Sequence, residues 1–126
     1  MVNGDQKIPN RTFGGAVIGY NNTTSARVLK FDTSVTPTFT GGLDLQQANA
    51  TGTLLLDGVT NNPATVTMTG AFTTTVATGA VTVSMGSGTW NASNNFNLNN
   101  VTTFNNNGGK LAMVGGGTLT SNGKTL

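Results

Sequence analysis

From Gly58 to Gly109 the chain has no charged side chain, yet it is not an apolar stretch. It is built from short alternating runs. In Ala64-Thr65-Val66-Thr67-Met68-Thr69 the apolar residues take one face and the threonines the other. Ala80-Val81-Thr82-Val83-Ser84-Met85 and Asn95-Phe96-Asn97-Leu98-Asn99 repeat the pattern. A period of two over four to eight residues marks a half-buried strand. Between the runs stand Gly70, Thr78-Gly79, Gly86-Ser87-Gly88, Asn99-Asn100 and the segment from Asn105 to Gly109. Glycine and asparagine tolerate the positive φ that tight corners need. Strand centres recur every seven to ten residues, and no segment has helical periodicity. An all-β fold of short strands is therefore expected.

The chemistry of the alternation narrows the choice further. Interior positions are apolar, and exterior positions hold threonine and asparagine, which solvate without charge. This suits a β-solenoid, in which each coil has three short strands and tight corners and apolar residues stack as ladders from coil to coil. Corner asparagines can then bond to the next coil. Val83–Trp90 can be laid on Ala112–Leu119 at an offset of 29, which would make a coil of that length. Thr73-Thr74-Thr75 falls on Thr102-Thr103-Phe104 at the same offset. The rival is an antiparallel β-sandwich or jelly roll. Against it, no Asn-Gly hairpin joins two well-patterned strands in the middle of the chain.

Residues 1–50 differ from the rest. They hold seven of the ten charges. Ile8-Pro9-Asn10-Arg11 reads as an extended entry. Ala26–Phe31 reads as a strand, and Thr36–Thr40 as another, with Pro37 suggesting a sheet edge. Within a chain of single-domain length, residues 1–50 are assigned as an attachment or capping segment and 51–126 as the β-rich, repeat-like part.

Several function classes are disfavoured. The chain is charge-poor and rich in β-branched residues, the reverse of a disordered chain. Its six cations are scattered and interleave with no aromatic cluster, so no nucleic-acid binding is expected. No run approaches the length of a membrane span, and Met1–Lys7 has no apolar leader-like stretch. Histidine, cysteine and glutamate are all missing from the sequence. That removes the usual general base, the common nucleophile pairs and most transition-metal ligands. No catalytic residue, cofactor or metal site is expected. Asp44 and Asp57 could pair across neighbouring coils as glycosidase carboxylates, but solvated turn positions are the plainer reading.

The stretch Gly86-Ser87-Gly88-Thr89-Trp90-Asn91-Ala92 and the later Gly109–Thr120 resemble the Gly/Thr/Asn-rich β-helical repeats of phage tail and virion proteins and of bacterial surface adhesins. The likeness covers about residues 50–126. It implies a structural protein of a virus particle, such as a phage fibre, tail or capsid-decorating subunit, located in the virion. It also implies a homo-oligomer, often a trimer, with other virion or surface proteins as partners. The alternative is a secreted adhesin or carbohydrate-binding module at the cell surface, with glycans as ligands. Ice binding is the third reading. It requires Thr65-Val66-Thr67 and Thr73-Thr74-Thr75 to stack on one face. Trp90 and Tyr20, the only residues of their kinds, are the candidates for an interface or for stacking on a sugar.

Overall fold

A computed structural model describes residues 5–126. Residues 1–4, and with them most of the Met1–Lys7 stretch, lie outside the described residues. The fold is all-β, with no helix among the described residues. Fifteen short strands follow one another in sets of three. The first coil is β1 (Gln6–Ile8), β2 (Thr12–Phe13) and β3 (Val17–Asn21). The second is β4 (Ala26–Phe31), β5 (Thr38–Phe39) and β6 (Leu43–Gln47). The third is β7 (Thr53–Asp57), β8 (Thr65–Met68) and β9 (Phe72–Ala77). The fourth is β10 (Ala80–Ser84), β11 (Thr89–Ala92) and β12 (Phe96–Asn97), and the last is β13 (Thr103–Asn105), β14 (Lys110–Met113) and β15 (Leu119–Thr120).

Every third strand stacks on the same sheet. The first sheet has the order β1-β4-β7-β10-β13, the second β14-β11-β8-β5-β2 and the third β15-β12-β9-β6-β3. All pairings are parallel. The chain is a β-solenoid of about four turns. The six strands of residues 6–47 take their places in the same three sheets as the strands that follow.

The alternation read from the sequence sets which side chains face inward. Leu29, Leu56, Val83 and Phe104 form one inward row of the first sheet, each in register with the next. Leu43, Phe72, Phe96 and Leu119 form a row of the third. Parallel strands lie about 4.8 Å apart, so rings in one row stack face to face. Phe72 and Phe96 do so with centroids 4.5 Å apart, and Phe13 and Phe39 at 5.2 Å. Phe31 meets Trp90 edge-on across the core, at 5.8 Å and 82°.

Corners absorb differences in coil length. The corner after β9 has two residues, Thr78-Gly79, whereas five residues, 48–52, follow β6. The constant offset of 29 therefore does not hold. Trp90 pairs with Leu111, not Leu119, and Val83 with Phe104, not Ala112. An offset of 29 occurs only locally, as between Thr38 and Thr67 or Leu43 and Phe72. Register follows the inward rows, because slipping a strand by one would turn its apolar set to water.

Pro37 is a further correction. β5 lies inside its sheet, between β2 and β8. Pro37 stands one residue ahead of the strand, where no N–H is missed, and its carbonyl accepts from Thr67 N–H at 3.0 Å. Corner asparagines do bridge coils. Asn61 Nδ2 donates to the Phe31 carbonyl at 2.8 Å, Asn100 Nδ2 to that of Thr74 at 2.8 Å, and Asn21 Nδ2 to that of Thr53 at 3.0 Å.

Candidate functional site

The outer face of the second sheet carries threonines from successive coils. β8 turns Val66 and Met68 into the core and presents Thr65 and Thr67 outside. Thr67 is in register with Thr38 on β5 and Asn91 on β11, and Thr38 with Thr12 on β2. Thr65 is in register with Thr89. Thr36 and Thr40 flank β5, and Thr69 follows β8; the ladder continues past the strands through Thr40 N–H to Phe13 O and Thr69 N–H to Phe39 O. Eight threonines therefore line one face, one to three to a strand. None of their hydroxyls forms a hydrogen bond to another described residue; the backbone N–H groups make the bonds recorded there. Pairing in this sheet runs without a bulge.

Thr73 and Thr75 project instead from β9 in the third sheet, so the two threonine runs singled out in the sequence do not share a face. The signal that would have located the grid was present. Thr36-Pro37-Thr38-Phe39-Thr40 has the same Thr-x-Thr-x-Thr spacing as Thr65–Thr69.

The third sheet carries the second candidate surface. Asp44 lies opposite Ile18 and Thr73. Its carboxylate accepts from Thr73 Oγ1 at 2.9 Å, Gln46 Nε2 at 2.7 Å, and both the N–H and the hydroxyl of Thr75. Burial opposes ionisation, but the bonds from Gln46, Thr75 and Thr73 outweigh it and hold the carboxyl below its ordinary value. Gln46 also pairs in register with Tyr20, which is half-buried beside the exposed Ile18. The strand pairing has a bulge between Asp44 and Gln46, which re-aims these side chains.

Asp57 belongs to the first sheet and stands apart from Asp44. It closes a turn after β7. Its carboxylate accepts from the N–H groups of Val59 and Thr60 at 2.8 and 3.0 Å and from the Thr60 hydroxyl. Burial is again the largest influence and would raise its pKa. Bonds from Thr60 and Val59, with the charge of Lys30, bring it below the ordinary value. The two carboxylates sit on different sheets and are each engaged in local hydrogen bonds.

Trp90 is 0% exposed. It lies on β11 between Val66 and Leu111 in an inward row, so its ring has no face free for a sugar. Tyr20 alone of the two aromatic candidates reaches the surface.

The last coil differs from those beneath it. Trp90, Ala92 and Phe96 are sealed, while Leu111, Met113 and Leu119, next in the same rows, are half-buried. A hollow of about 320 Å³ opens there, lined by Met85, Phe104, Leu111 and Leu126 among others. Val114 nearby is 60% exposed. β13, β14 and β15 are each terminal in their sheet, so one edge of all three faces outward at this coil. Comparison with protein-family models, with curated proteins and with solved structures finds no match.

Proposed function

We propose that the chain is a structural, non-catalytic segment of a stacked β-solenoid appendage, with a virus particle as its setting: a phage fibre, tail or capsid-decorating subunit. The observation that supports this is the half-open state of Leu111, Met113 and Leu119 beside β13, β14 and β15, each paired on one side only among the described residues. A further coil seated on β13–β15 would pair those edges and bury those rows. A second copy of the chain fits the position. Its first coil offers β2 and β3 as edges of the same sheets among the described residues. Parallel stacking continues the strand direction, and such a head-to-tail contact grows into a fibre. The outer surface is nearly free of charge between residues 58 and 109, so repulsion between copies is weak there.

Light scattering and negative-stain microscopy on the 126-residue chain test the proposal. Concentration-dependent assembly into rods is expected. Leu111→Asp and Leu119→Lys, on the outermost coil, should abolish it while the β spectrum in circular dichroism persists. A stable monomer at micromolar concentration, with no rods, overturns it.

The adhesin reading draws on Tyr20, Gln46 and Asp44 of the third sheet. An aromatic face beside an amide is a sugar-binding combination. Glycan-array binding lost in Tyr20→Ala would favour the adhesin over the virion setting.

A further inference from the structure

We infer that the outer face of the second sheet binds ice, its threonines holding water in the ordered positions of a crystal plane. The inference is independent of the stacking proposal, which concerns the solenoid's end. The grid has two spacings set by the backbone. Neighbouring strands lie about 4.8 Å apart, and alternate residues along a strand about 6.6 Å apart. Thr38 and Thr40 on one coil face Thr67 and Thr69 on the next, so one chemical group repeats in two dimensions. The register holds through five strands without a bulge, unlike that of the third sheet.

Three properties suit an ordered water layer. Each hydroxyl can both donate and accept, and none of the eight forms a bond to another described residue. Some threonines elsewhere are engaged, Thr73 and Thr75 by Asp44 and Thr60 by Asp57, whereas the Thr74 hydroxyl is buried without a partner. The positions are stiff, because threonine is restricted at χ1 and the intervening Phe39, Val66 and Met68 are at most 1% exposed. A pre-ordered array loses little freedom on binding. The face is also uncharged from Thr12 to Ser93 along these strands, apart from Arg11 at its rim; Lys110 marks the last coil. On the first sheet, by contrast, Lys7 and Lys30 stand in register on neighbouring strands. A charged group would impose its own hydration shell on the water above it.

The test is adsorption of the fluorescently labelled full chain to a growing ice crystal, with thermal hysteresis measured by osmometry. The full chain should coat the ice and depress the freezing point below the melting point. Thr67→Lys, at the centre of the grid, should abolish both effects with an unchanged circular dichroism spectrum. Thr38→Lys on the neighbouring strand serves if Thr67→Lys does not fold. Thr82→Lys, on the outer face of the first sheet, should leave both effects intact. Absence of adsorption and hysteresis in the unaltered chain overturns the inference. So does an equal loss in Thr82→Lys. Binding to crystalline cellulose or chitin without adsorption to ice would also overturn it, and would reassign the grid to a polysaccharide surface.

Discussion

Phe96 shows what one residue contributes to a stacked core. Its ring lies 4.5 Å from that of Phe72, it pairs with Leu119 above, and it is 0% exposed. Phe96→Ala opens a cavity between two coils and should cost about 3–5 kcal/mol in urea unfolding. Thr74 behaves oppositely. Its hydroxyl is buried without a hydrogen-bond partner. Thr74→Val removes an unpaired polar group at nearly constant volume and should stabilise by about 1 kcal/mol, read as a raised Tm. Asp44 and Asp57 set an acid limit. Both have folded-state pKa values below the ordinary 3.8. Between the folded and unfolded values the unfolded chain binds more protons, so the stabilisation is complete above about pH 4 and is lost as pH falls through the folded values. Tm should hold from neutral pH to about pH 5 and drop below about pH 4, and the double variant Asp44→Asn, Asp57→Asn should flatten that drop.

At the scale of elements, the strands are shorter than could be stable alone, and the corners hold them in place. Gly86 has φ 76°, and a Cβ there would come within 2.1 Å of the Gly58 carbonyl oxygen of the coil below. Both the left-handed backbone and the close approach require glycine. Gly86→Val should therefore push β10 and β11 away from β7 and β8 of the coil below and lower Tm more than Gly116→Val, where a Cβ meets nothing within 4 Å. Strands such as β8 and β10 were legible because their apolar and polar residues alternate and their flanks are turn residues; β4 alternates only moderately. β6 was not singled out. Its sequence Leu43-Asp44-Leu45-Gln46-Gln47 turns Gln47 inward at 0% exposure, where Nε2 bonds to the Asn49 carbonyl at 2.8 Å. A buried glutamine breaks the apolar pattern, and only the corner it braces explains it.

For the whole molecule, the inward rows form one continuous core from Ile8 to Phe104. Stability in such an array is a sum of coil and interface contributions between nearest neighbours. Destabilisation at the outer coils should fray the end before it unfolds the middle. Hydrogen exchange should show β14 and β15 opening faster than β7 and β10, and the difference should narrow under conditions that drive assembly. Equal protection in all five coils of the free chain would contradict that order.

The sequence by itself determined the strand class, the absence of helix, the inward set and the chemistry of the corners, because a period of two and the φ tolerance of glycine and asparagine are local properties. Val66, Met68, Val81, Val83, Met85, Phe96 and Leu98, the inward positions of the alternating runs, are all buried. Only the tertiary structure decided which residues stack on which. Coil lengths vary with their corners, so the register of Trp90 on Leu111 or of Thr38 on Thr67 depends on rows filled by distant residues. The same long-range register gathered threonines from four coils onto one face, parted Thr65 from Thr73, placed Asp44 and Asp57 on different sheets, and put Trp90 inside.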